Sequence, residues 1–190
     1  GEGGHGVVVL SPNAIKRLST FHPERPMPKI FRLVKNGKLI EGVYEGETLN
    51  TPSMFCVADA LDSLMWIKEI GGLTETIRRS NENFKCLQGW VDKTPWIENL
   101  VSDPRNRSNT SVCLKFSDER LISLIPDEKT RFVKEFVALL EAENAAFDIK
   151  GHRNAPPGLR IWCGATINLD DIQKLLPWLE YCFHEIISSY

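Results

Sequence analysis

The sequence predicts an α/β chain that closes in a small α+β layer, a short sheet covered by helices. Three observations carry that expectation. Apolar residues recur at helical spacing over two consecutive stretches, 53–70 and 74–91, separated only by Gly71-Gly72. Beyond residue 99 the order becomes strand, strand, helix, strand, strand, helix, which describes one sheet layer packed on helices. The composition, 42% hydrophobic and 25% charged, is that of an ordinary globular domain.

The elements follow in order. Residues 6–10 form a short apolar run of the kind a buried strand carries. Ser11-Pro12 then supplies a helix cap and a proline at the first helical position, opening a short helix through Ile15 and Leu18. Three prolines between His22 and Pro28 enforce an extended loop. Residues 29–34 and 38–44 read as two strands around Asn36-Gly37, a type I′ hairpin signal because both turn residues tolerate positive φ. Pro52-Ser53 starts the first long helix. Met54, Val57, Ala58, Leu61, Leu64 and Met65 recur along it, and the glycine pair stops it. The second long helix carries Ile77, Phe84, Leu87 and Val91 on one face. Strands are then expected at 99–101 and 108–116, a helix capped by Asp127 to about residue 144, and strands at 146–149 and 158–164. Asn168 caps the last helix, with Asp170 and Asp171 placed to complement its dipole, and Pro177 is expected to kink it.

Charge and cysteine usage narrow the function classes. The formal net charge is -2, so no global basic footprint points to nucleic acid. No apolar run approaches the roughly 20 residues that span a bilayer. The five cysteines are odd in number, widely spaced and without a C-x-x-C pair, which argues against a disulfide framework and against zinc. The expectation is therefore a cytoplasmic protein with neither a nucleic-acid nor a membrane partner and no metal. The opening Gly-rich turn, with Gly1, Gly3, Gly4 and Gly6, meets neither the Rossmann nor the P-loop fingerprint. A domain rarely begins in mid-turn before an apolar strand, so a piece of something longer, cut at Gly1, is expected.

Two segments could carry chemistry. In residues 151–162 a strand ends, a loop stiffened by Pro156-Pro157 follows, and a second strand begins. That loop offers His152 and Arg153, and then Arg160. Arginine presents a planar fork of donors that matches carboxylate and phosphate oxygens two at a time. Two arginines on one stiff loop could hold a ligand with two anionic ends; the competing reading is solvated or ion-paired loop residues. The second segment is Asn50-Thr51 before the helix that Pro52 begins. A helix N-terminus offers free amides to a phosphate, although simple capping by Thr51 explains the same residues.

These segments resemble a known family. Gly3-Gly4-His5-Gly6 with Val7 to Pro12, Pro28 to Leu33, Asn50-Thr51-Pro52-Ser53-Met54, Arg105 to Leu114, and Ala155 to Thr166 together resemble phosphoserine aminotransferases, in the form found in alpha-proteobacteria and some archaea. The resemblance runs the length of the chain. It implies the C-terminal portion of a class V enzyme with the type I fold of pyridoxal-phosphate-dependent transferases. Residues 1–75 would end the large cofactor domain, and 76–190 would form the small α+β domain. It further implies a homodimer in which Asn50 and Thr51 reach the cofactor phosphate of the other subunit. His152 and Arg153 would contact the phosphate of 3-phosphoserine, and Arg160 its carboxylate. Many relatives carry Tyr where His152 stands. The family's Schiff-base lysine would lie upstream of Gly1, a few residues before the Gly-rich turn. It is absent from this sequence, so no catalytic residue is expected in it.

Two functions from different classes follow. As part of an enzyme, the chain would serve a transaminase that exchanges the amino group between glutamate and 3-phosphohydroxypyruvate, and would be inactive without the N-terminal half. As a free-standing module, it would bind a partner or a phosphorylated metabolite without chemistry. A narrower alternative keeps the fold and changes the substrate within class V.

Overall fold

The computed structural model describes residues 8–48 and 50–190. The Gly-rich turn that begins at Gly1, and with it the expected position of a Schiff-base lysine just upstream of Gly1, lies outside the described residues. The chain separates into two compact units, Gly1–Trp66 and Ile67–Tyr190.

In the first unit, helix α1 (Pro12–Thr20) begins as its sequence dictates. The Ser11 hydroxyl accepts the Ala14 amide at 3.2 Å and Pro12 fills the first turn. The expected strand at 6–10 falls partly outside the described residues, and residues 8–10 enter no regular element. The hairpin forms but is short: β1 (Val34–Lys35) pairs antiparallel with β2 (Lys38–Leu39). Asn36 and Gly37 both take positive φ, 52° and 72°, as a type I′ turn requires. The outer parts of the two expected strands are instead single turns of 3-10 helix, Lys29–Phe31 and Glu41–Tyr44. They have no strand to pair with among the described residues, and the Phe31 amide closes on the Pro28 carbonyl at 3.0 Å. Helix α2 (Met54–Glu69) starts two residues later than Pro52, because Ser53 takes the cap: its hydroxyl accepts the Cys56 amide and its carbonyl the Val57 amide. The unit boundary falls inside α2. No described residue of the first unit is buried.

The second unit holds the core. Helix α3 (Gly72–Val91) opens after Gly71, whose φ of 117° only glycine adopts readily. Strands β3 (Ile97–Asn99), β4 (Ser111–Phe116) and β5 (Leu159–Trp162) form an antiparallel sheet in sequential order. Helices α5 (Pro126–Ala142) and α6 (Leu169–Ile187) complete the layer, with a short α4 (Glu119–Ile122) before α5. Among the described residues, every buried hydrophobic side chain lies between Leu87 and Ile187. Phe132 and Phe136 of α5 sit edge-on to Phe116 of β4, and Trp96 stacks on Phe183 of α6 with ring centroids 4.1 Å apart.

The expected boundaries shift for local reasons. β3 ends at Asn99 rather than Val101 because the Arg107 guanidinium takes the Val101 and Ser102 carbonyls at 2.8 and 2.9 Å. β4 starts at Ser111 rather than at 108 because the Ser108 hydroxyl binds the Thr110 and Ser111 amides in a local turn. Ile125, not Asp127, occupies the cap of α5; Pro126 is its first residue, and the Glu128 carboxylate accepts the Ile125 amide. The strand expected at 146–149 does not form. Asn144 and Asp148 both take left-handed backbone (φ 55° and 53°), and the Ala145 amide binds back to Leu140 at the end of α5. α6 starts after Asn168 as expected, the Asp171 carboxylate accepting the Asn168 amide, and it runs on through Pro177.

All five cysteines are free thiols. Burial pushes the Cys163 thiol up to about 12, with a smaller contribution from Cys86, and the Cys182 thiol up to about 11. No helix among the described residues is long and apolar enough to cross a membrane, and no cluster of metal-ligating side chains occurs among them.

Candidate functional site

The sheet of the second unit has two unlike faces. Along β5, Leu159 and Ile161 are buried in the core, while Arg160 and Trp162 alternate onto the opposite face. The register places Cys113 beside Arg160 and Ser111 beside Trp162 on β4. Lys115 of the same face is paired with Glu98 of β3 at 2.9 Å. This face is where the charged and half-exposed side chains gather.

A hairpin builds the site's edge. Residues 149–151 run back along β5: the Arg160 amide donates to the Ile149 carbonyl at 2.7 Å, and the Gly151 amide to the Gly158 carbonyl at 2.8 Å. The hairpin lies so close to β4 that a Cβ on Gly158 would strike the Leu114 carbonyl oxygen. Pro156 and Pro157 limit what the connecting loop can do.

Arg160 lines a cleft of about 400 Å3 with Ser111, Phe147, Asp148, Ile149 and Trp162. Its Nη2 donates to Asp148 Oδ2 at 3.2 Å; the Arg160 side chain is 37% exposed and the Asp148 side chain 89%. The Trp162 indole, half exposed, donates to the Thr166 hydroxyl at 2.9 Å.

His152 and Arg153 line a different and smaller cleft, about 210 Å3, with Lys150, Pro156, Pro157 and, from α5, Thr130 and Val133. His152 Nδ1 accepts the Asn154 amide at 3.2 Å and so braces the loop. The Arg153 guanidinium has no carboxylate partner among the described residues. The one hairpin thus supplies both clefts, but the two arginines do not line a common one. Asn50 and Thr51 belong to the first unit, exposed just ahead of the Ser53 cap of α2.

Sequence reasoning missed Asp148 and Lys150. Nothing in the linear pattern says that a left-handed residue at 148 brings its carboxylate to Arg160. Trp162, two residues past Arg160 on the same strand face, could have been read from the alternation.

Behind the clefts, α3 holds the turn that joins β5 to α6. Buried Asn83 donates its amide to the carbonyls of Cys163, Gly164 and Ile167, the last at 2.9 Å. Arg79 donates to the Ala165 carbonyl and the Asn168 side chain.

Comparison with known proteins places this architecture. The chain is 45% identical over 185 residues to a phosphoserine aminotransferase of Methanosarcina mazei, covering 96% of this chain and 47% of that protein. The same identity holds to the Methanosarcina barkeri enzyme, over 97% of this chain and 47% of that one. Among solved structures it is similar to phosphoserine aminotransferase of Bacillus circulans subsp. alkalophilus (TM-score 0.59, 24% identity, 72% of this chain and 34% of that chain). It is similar also to the enzyme of Trichomonas vaginalis with bound pyridoxal phosphate (TM-score 0.60, 22% identity, 73% of this chain and 36% of that one). These two show the fold, that of the pyridoxal-phosphate-dependent phosphoserine aminotransferases. No family model matches. On the strength of the identity that runs through nearly all its residues, the chain belongs to the phosphoserine aminotransferase family, and it spans about half the length of the curated relatives it matches.

Proposed function

We propose that this chain is the substrate-gripping C-terminal portion of a pyridoxal-phosphate-dependent transaminase. The reaction exchanges an amino group between glutamate and 3-phosphohydroxypyruvate, yielding 3-phosphoserine and 2-oxoglutarate. The observation that carries the reading is Arg160, fixed by β5 on the outward face of the sheet in a cleft of about 400 Å3. It stands in a chain whose relatives carry that activity in their names.

Each candidate residue has a task in this reading. Arg160 takes the substrate carboxylate. Arg153, with His152 bracing the loop beside it, takes the phosphate. The two tasks fall in separate clefts of one hairpin. Asn50 and Thr51 hold the cofactor phosphate of a second subunit in a homodimer; they are exposed and polar, as a contact across an interface needs. Residues 1–75 then complete the large domain, 76–190 form the small one, and the protein works in the cytoplasm.

The residues present fit only part of the cofactor's surroundings. Lys115, on the sheet face with Arg160, is already paired with Glu98, and no lysine among the described residues lines the Arg160 cleft. Pyridoxal phosphate, when bound, supplies the electron sink through which an amino group passes between an amino acid and a keto acid. This chain's own side chains bind and orient the substrate. The amine that moves the proton is to be sought upstream of Gly1, in the other half, and the chain alone is expected to be inactive.

The complete protein tests the reading. It should show the absorbance band of bound cofactor, and Arg153→Leu should raise the KM for phosphoserine about 10- to 100-fold, the worth of a charge-assisted hydrogen bond. The KM for glutamate should change little. Equal loss for both substrates would remove Arg153 from the phosphate.

A further inference from the structure

We propose that Asp148 is a built-in competitor for Arg160: its carboxylate occupies the guanidinium when no ligand does, and a ligand carboxylate must displace it. The proposal rests on the reading of Arg160 as the carboxylate-binding residue.

The two residues meet through the hairpin. Ile149 is hydrogen-bonded to Arg160 through the backbone at 2.7 Å, so Asp148 stands one residue from the contact point. Its backbone is left-handed, φ 53°, in a region that Asp tolerates better than most residues. From there Oδ2 reaches Nη2 of Arg160 at 3.2 Å, a single contact to one guanidinium nitrogen. A free carboxylate can use two nitrogens of the fork at once.

Asp148 is 89% exposed and the Arg160 side chain 37%, so neither partner of the pair is buried. The Asp148 side chain makes no other hydrogen bond among the described residues, and its departure disturbs no core side chain. An exposed pair of this kind shifts an equilibrium by about two- to fivefold. That is strong enough to hold Arg160 in the cleft and weak enough for a bidentate ligand to replace. Ser111, Phe147 and Trp162 line the same cleft, so the guanidinium that Asp148 releases already faces a bounded space. The carboxylate that remains at the mouth repels weakly held anions, so Asp148 sets a threshold for ligands.

The test is a titration of phosphoserine into the complete protein, followed by the indole N–H resonance of Trp162, which is assigned with Trp162→Phe. Asp148→Asn should tighten binding about two- to fivefold relative to the unaltered protein. Glu185→Gln, which removes an exposed charge on α6 outside the lining of the cleft, should leave it unchanged. Unchanged or weaker binding by Asp148→Asn would show that the carboxylate only positions Arg160, and would overturn the proposal. So would equal tightening by Glu185→Gln, and so would failure of the Asp148→Asn protein to bind at all. Arg160→Leu separates the two ideas: if it binds as well as the unaltered protein, the assignment of Arg160 itself is lost.

Discussion

Gly158 shows how one residue without a side chain positions the candidate site. The hairpin can lie along β5 and against β4 only because nothing projects from residue 158 toward the Leu114 carbonyl. Gly158→Ala should therefore push the hairpin away from the sheet. We expect a loss of about 1–3 kcal/mol in equilibrium unfolding, the usual cost of overpacking, together with displaced amide resonances of Lys150 and Gly151; an unshifted spectrum would refute it. The glycine and both arginines were visible in the sequence as a loop with two guanidinium groups. The assignment of those arginines to two clefts was not. It depends on which way each side chain leaves the hairpin and on the left-handed backbone at Asn144 and Asp148 ahead of it, and left-handed Asp and Asn carry no mark in a linear pattern.

At the level of elements, β5 and α6 are tied to α3 by a polar contact inside an apolar layer. Asn83 is 1% exposed and serves three carbonyls of the 163–167 turn. Asn83→Ala would leave those carbonyls buried and short of donors. The expected cost is about 1–3 kcal/mol, seen as a lower midpoint in urea with an unchanged slope. A midpoint equal to that of the unaltered chain would show that the turn is held by Arg79 alone. The long helices were legible because their periodicity is strong and glycine punctuates it at Gly71-Gly72. Strand ends were less so. β3 and β4 are trimmed by Arg107 and Ser108, whose side chains compete for the backbone groups a longer strand would use. Those are contacts across six residues or fewer, yet residue type does not announce them.

Taken as a whole, the molecule distributes its interior unevenly. Among the described residues, all the buried hydrophobic side chains lie in the second unit, whose sheet and helices form a closed aromatic and aliphatic core. The first unit is built differently. α2 is apolar on several sides, and Met54, Phe55, Leu61, Leu64 and Met65 are all exposed, Phe55 by 73%. A helix of that character belongs in an interior, and apolar surface on this scale marks a place of association. The composition does not show this, because 42% hydrophobic residues describe an average and say nothing of where those residues lie.

An element with no interior opens at little cost, since few packed contacts must break before its backbone is bare. A protease added at low concentration should therefore nick the chain first within residues 8–53, and leave the polypeptide after Gly71 intact for much longer. Mass spectrometry of the surviving fragment would fix the boundary, and cleavage beginning inside α5 or α6 would contradict it. The same bonds should become resistant once a binding partner closes over α2.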